Sequence, residues 1–199
     1  IGLLERATRT ARQASAAMLT DEMRADYRMA LVGLTLAHKR RGHTAEAKET
    51  MAELVRSFPD LPLHASEYGS EAAGLYDAVK SSLTRLGTGS LSVVVDDPDA
   101  IVFINEQYRS TPERMKNLVP GPYRVLARKR QTSGRMYTAV VEAGKTVTVR
   151  IAWALDELIH TSPSWSGFLF PDRTPGRRLE RHAKQLARLL GATIVIAVG

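Results

Sequence analysis

Apolar residues near the start of the chain recur every three or four positions, at Leu4, Ala7, Ala11, Ala14 and Met18, with Glu5, Arg6, Arg9, Arg12 and Gln13 between them. This period predicts a helix from Leu3 to about Met18. Thr20 or Asp21 is a suitable N-cap for a second helix, with Met23, Tyr27, Leu31 and Leu34 on its apolar face, running to Arg41. Gly42 permits a tight turn, and a third helix over Thr44–Ser57 places Ala47, Met51, Leu54 and Phe58 inward before Pro59 stops it. Leu61–His64 reads as an extended connector. A fourth helix from Ser70 to Leu86 carries Leu75, Tyr76, Val79, Leu83 and Leu86, a core-packing pattern suited to a structural strut.

At Ser90 the period changes from 3.6 to 2. Leu91, Val93 and Val95 alternate with Ser92, Val94 and Asp96, and Asp96–Asp99 make a turn into a second strand over Ala100–Ile104. Further turns are predicted at Asn105-Glu106-Gln107, Ser110–Pro112 and Val119-Pro120-Gly121, followed by strands over Tyr123–Ala127, Met136–Val141 and Thr146–Ile151. The basic stretch Arg128–Arg135 is expected to be a loop. After Trp153 the pattern suggests a helical turn at Leu155–His160, a strand at Trp165–Phe170, a basic helix to Leu190 and an apolar strand over Ala192–Val198. The predicted class is therefore multi-domain α+β: helical hairpins over 1–87, a small antiparallel β-sandwich over 88–153, and a partial α/β unit of β-α-β form over 154–199. A start at Ile1 and an apolar strand at the very end lead us to expect a processed or excised chain whose native form continues.

Two resemblances sharpen this layout. Leu34, Gly42, Ala47, Met51, Leu54 and Pro59 follow the order and spacing of one tetratricopeptide-type helical hairpin, which implies a groove-forming, protein-binding segment. Leu91, Val93, Pro98, Ala100, Val102, Ile104, Thr111, Pro112, Leu118, Pro120, Gly121, Tyr123 and Val125, with Ala143-Gly144, resemble the PEGA family. Two features depart from that family: Pro98-Asp99-Ala100 is shortened, and Asn105-Glu106-Gln107 lacks the usual glycine. PEGA resemblance implies a small β-sandwich and a periplasmic or cell-surface location in a bacterium, since such domains often stand beside helical repeats in envelope proteins. Composition by itself leaves a cytoplasmic location open.

Charge adds a prior and composition removes several chemistries. A net charge of +7 and a pI near 9.9 favour an anionic partner, such as acidic glycan, lipid headgroups or nucleic acid. The clustered candidates are Arg128, Lys129, Arg130 and Arg135, but Tyr137 is the one aromatic beside them, so nucleic acid is not the expected ligand. The chain has no cysteine, which excludes disulfides, a thiol nucleophile and Cys-based zinc sites within it. His38, His43, His64, His160 and His182 lack metal-ligand spacing, and Asp96, Asp97 and Asp99 read as turn residues. Ser162, Ser164 and Ser166 lack a nucleophile elbow, and Pro171–Arg178 matches no phosphate loop.

No catalytic residue, metal or cofactor is therefore expected. The leading expectation is a non-enzymatic scaffold or adaptor of the cell envelope, binding other proteins or an envelope polymer, in an unspecified oligomeric state. Two alternatives stay open: a regulatory front end to a nucleotide-binding or enzymatic α/β protein, and an anionic-polymer binding module.

Overall fold

Helices occupy the first part of the chain and strands the rest, and most boundaries have a local cause. The computed structural model describes residues 1–13, 20–109, 113–130, 132–161, 166–168, 180–181, 183–185 and 187–188. Helix α1 spans Gly2–Gln13, α2 Asp21–Arg40, α3 Thr44–Ser57, α4 Ala65–Tyr68 and α5 Ser70–Arg85. Thr20 caps α2 by accepting the Met23 N–H at 3.2 Å, and Gly42, at φ 77°, turns the chain back into α3. The short helix α4 follows the connector and was not anticipated.

Helix α3 buries its predicted face. Ala47, Met51, Leu54 and Phe58 are all at most 3% exposed, and they pack with Tyr27, Leu31, Tyr76 and Val79 in one cluster. The predicted faces of α1 and α2 need correction. Met23 is 44% exposed, whereas Val32, Thr35 and His38 are buried. The cause is that α2 packs against both α1 and α3, so its buried surface is wider than one apolar stripe. In α1 Thr8 is buried and Ala7 exposed, and the Thr8 hydroxyl is satisfied by the Leu4 carbonyl at 3.0 Å.

The strands are β1 Gly89–Val95, β2 Ile101–Ile104, β3 Gln107–Arg109, β4 Glu113–Leu118, β5 Gly121–Lys129, β6 Thr132–Val141 and β7 Thr146–Ile151. They form a three-stranded sheet in the order β4-β1-β7 and a four-stranded sheet in the order β3-β2-β5-β6. Leu91, Val93, Val149 and Ile151 from the first sheet share a core with Val102, Ile104, Val125 and Ala127 from the second. The fold is thus mixed α+β, as expected.

Three expectations about the strands are corrected. First, β1 and β7 pair in parallel, Ser90 opposite Thr146 through Val95 opposite Ile151. A parallel pair needs a long crossover, and every strand between β1 and β7 supplies it. Second, the basic stretch Arg128–Arg135 is mostly strand, since the ladder continues to Lys129 opposite Thr132 and the turn is confined to the Arg130 region. Polar residues on an exposed ribbon show no apolar alternation, so the pattern reads as a loop. Third, Asn105 and Glu106 are both left-handed, at φ 45° and 63°, as a two-residue hairpin turn requires. They fold β3 back onto β2, a strand too short and polar to show in the sequence.

Beyond Ile151, the helical turn falls at Trp153–Asp156 (α6), and Ile159–Thr161 (β8) pairs antiparallel with Ser166–Phe168 (β9). The expected strand near 165–170 is present in part, but its described partner is antiparallel and adjacent. The Pro171–Arg178 turn and the strand over Ala192–Val198 lie outside the described residues. Among the described residues, no helix is long and apolar enough to cross a membrane.

Alternation along β1 yields a direct test. Leu91 is 0% exposed and Val94 37% exposed. Leu91→Ala should cost about 2–5 kcal/mol in urea unfolding, and Val94→Ala within about 0.5 kcal/mol. Equal losses would show that the two sheets do not share this core.

Candidate functional site

Tyr123 and Val125 point into the core between the sheets, at 2% and 0% exposure. Strand alternation therefore places Arg124 on the opposite face, toward the helices. Its guanidinium grips Glu106 with two bonds, Nε to Oε1 at 2.6 Å and Nη2 to Oε2 at 2.8 Å. The third arm, Nη1, reaches Oε1 of Glu53 on α3 at 2.8 Å. Backbone bonds fix the position of Arg124: its N–H donates to Asn105 Oδ1 and its carbonyl accepts the Asn105 N–H, both at 2.9 Å.

Glu53 collects more donors. Arg12 of α1 donates Nε to Oε1 at 2.9 Å and bonds Oε2 through Nη2, and the Tyr27 hydroxyl of α2 also bonds Oε1. Three helices and the four-stranded sheet thus meet on one carboxylate. Burial pushes the Glu53 carboxyl up, but its hydrogen bonds and the charges of Arg12 and Arg124 outweigh burial and hold it below the ordinary carboxylate value. Tyr27 is pushed up, first by burial and then by the Glu53 charge. Arg124 is raised above its ordinary value: burial opposes the shift, and Glu106, Tyr27 and Glu53 together overcome it. Two guanidinium groups balance two carboxylates, so these groups anchor one another.

Above this anchor lies a cleft of about 470 Å³ between α1, α3 and the β5–β6 ribbon. Arg9, Glu46 and Glu49 stand exposed on its rim, and none of them forms an ion pair among the described residues. The arrangement gives a floor of mutually bonded charges with exposed charges of both signs above it.

The predicted site residues occupy a different region. Lys129 bonds Asp97 at 2.7 Å and approaches Asp99 at 3.3 Å. Arg128 donates Nε to the Arg130 carbonyl at 2.9 Å, and Arg130 is exposed at the turn with φ 54°. Arg135 bonds Asp156 at 3.2 Å and lies 4.3 Å from the Tyr137 ring centroid. Burial raises Asp156, against the opposing pull of Tyr137 and Arg135, and the Tyr137 hydroxyl is pushed up to about 12 by burial and by that carboxylate. Lys129 and Arg135 are therefore already paired, and Arg128 and Arg130 are the remaining cations of the predicted cluster.

Asp96 and Asp97 act in turns: Asp96 accepts the Trp153 N–H at 2.6 Å, and Asp97 accepts the Asp99 N–H at 2.9 Å. The rings of His38 and His43 approach to 5.8 Å, but no group of three His, Asp or Glu side chains among the described residues is placed to hold a metal ion. Ser162 and Ser164 lie outside the described residues. Arg12, Tyr27, Glu53, Glu106 and Arg124 were not foreseen as a group. The one available signal was Glu106, a large charged residue in a turn that ordinarily takes glycine.

No family model matches the chain, and no curated protein matches it.

The lowered Glu53 carboxyl has a defined pH consequence. A depressed folded pKa contributes stability that is fully present above the unfolded value, near 4.5, and is lost as pH falls through the folded value. Glu53→Gln should cost about 3–5 kcal/mol at pH 7, and the gap from wild type should narrow steadily below pH 4.5. A gap that stays constant from neutral to acid pH would rule out an ionised Glu53 anchor.

Proposed function

We propose that the chain is a non-enzymatic adaptor whose partner-binding surface is the cleft between the helices and the four-stranded sheet. The observation that carries this reading is the division of charge at the cleft. The floor groups neutralise one another, while Arg9, Glu46 and Glu49 stand exposed above them with no ion pair among the described residues. A preformed recess with free charges of both signs suits a partner segment that itself carries both signs, because binding then needs little reorganisation.

The architecture fits the resemblances on which the proposal also leans. Helices α2 and α3 form a hairpin through Arg41–His43, with Ala47 only 2% exposed, as a tetratricopeptide-like hairpin would require. Two small sheets sharing a core suit a PEGA-like domain. On that reading the protein works in the bacterial envelope, at the periplasmic or cell surface, and its partners are envelope proteins. The residual cations Arg128 and Arg130 would add at most a weak, salt-sensitive attraction to anionic surfaces.

Quantitative capture from a bacterial envelope extract tests the proposal. Wild type should retain at least one protein that the double variant Arg9→Glu, Glu49→Lys loses by tenfold or more. Lys116→Glu, an exposed substitution on β4, should retain it at the wild-type level. Identical recoveries from the wild type and the cleft variant would remove the cleft as the binding surface.

A further inference from the structure

Arg56 lies near the end of α3 at the helix–sheet junction, lines the adaptor cleft beside Glu53, and is 9% exposed. Its backbone neighbours leave it little freedom. A side chain at Gly121, where φ is 130°, would put its Cβ 2.5 Å from Arg56 Nη1. Among the described residues its one hydrogen bond is long, Nη1 to the Pro120 carbonyl at 3.4 Å, and its Nε is buried without a partner. Among the described residues it forms no ion pair: Glu53 is bonded to Arg12 and Arg124, and Glu49, whose charge also acts on Arg56, makes no ion pair with it. Burial holds the Arg56 guanidinium below its ordinary pKa, against weaker opposing pulls from Tyr123 and Glu53.

A buried guanidinium with no ion-pair partner is costly. What surrounds it indicates what would offset that cost. Arg56 lines a second cleft, of about 270 Å³, closed by α3, α5, the β2–β3 turn and the β4–β5 connection. Among the described residues, the charged ones lining it are Arg56, Lys80 and Arg109, and no carboxylate lines it. Neither Lys80 nor Arg109 forms an ion pair among the described residues, and the Nε of Arg109 is buried without a partner, like that of Arg56. Arg109 is held by an Nη2 bond to Gln107, and Lys80 lies 5.5 Å from the Tyr76 ring centroid. Thr88 and Asn117 add a hydroxyl and an amide to the lining. Three cations thus line a space large enough for a compact anion and too small for a folded partner.

We propose that this cleft binds a phosphate group, either free inorganic phosphate or the phosphate of a small phosphomonoester. A tetrahedral dianion can accept from two guanidinium groups and an ammonium at once, which a monovalent carboxylate does less completely. The site adjoins the adaptor cleft, since Arg56 lines both, and its occupancy would brace the same junction.

The test is titration of the full chain, isotope-labelled and followed by NMR, with inorganic phosphate, glycerol 1-phosphate and acetate in separate arms. Phosphate should bind saturably, with shifts centred on Arg56, Lys80 and Arg109, and acetate should bind at least tenfold more weakly. Tighter binding of glycerol 1-phosphate than of phosphate would assign the site to a phosphomonoester, and tighter binding of phosphate would assign it to the free ion. Arg109→Gln and Lys80→Gln should each weaken binding about tenfold while leaving the circular dichroism spectrum unchanged. These two positions carry the test because Arg56→Met, in the buried junction, could unfold the chain. Non-saturable phosphate shifts, acetate binding as tight as phosphate, or unaltered affinity in both variants would each overturn the proposal.

Discussion

The Arg124 guanidinium is the main charged tie between the helical and β halves of this protein among the described residues. Its bidentate grip on Glu106 and its bond to Glu53 place one cation between a β-turn and a helix. Buried charges of this kind contribute little net stability compared with apolar packing, yet removing one partner is severe because the other is left uncompensated. The tie therefore specifies geometry more than it adds strength. Arg12 and Tyr27 extend it to α1 and α2, so the angle between the helices and the sheet is fixed by one set of mutually satisfied groups.

Glu106 accounts for a feature that local propensity alone would disfavour. A non-glycine residue in the left-handed region costs about 1–2 kcal/mol, and glycine would relieve that strain. Here the turn keeps a carboxylate because the carboxylate is the ligand of Arg124. The strain is local, while the contact it permits holds together parts of the chain far apart in sequence. The same economy of carboxylates leaves Arg56 without an ion pair among the described residues, since Glu53 is already bonded to Arg12 and Arg124. The phosphate cleft and the adaptor cleft thus adjoin at Arg56 and share one charge distribution.

Much of the fold was legible in the sequence where a single period dominates. Met51, Leu54 and Phe58 announced the buried face of α3, and Leu91 and Val93 that of β1, because each element packs mainly on one side. Legibility failed where burial is two-sided, as at Met23 and Val32 of α2, and where a strand carries polar side chains, as in the ribbon through Arg128–Arg135. The candidate site was less legible still. Glu53, Glu106 and Arg124 are scattered in the chain and each resembles an ordinary surface charge, so their convergence depends on the tertiary arrangement. The predicted cations drew notice because they are contiguous, yet Lys129 and Arg135 meet carboxylates on neighbouring elements.

The central claim is that Arg124 couples the helices to the β-sheets. It is tested most directly by urea unfolding of Arg124→Met monitored with two probes, far-ultraviolet circular dichroism for the helices and tryptophan fluorescence for the β region, where Trp153 is buried. In the wild type the two transitions should coincide. In the variant they should separate, with the helical transition moving to lower urea. Coincident transitions in the variant, at the wild-type midpoint, would show that the two halves are held together by something other than this guanidinium.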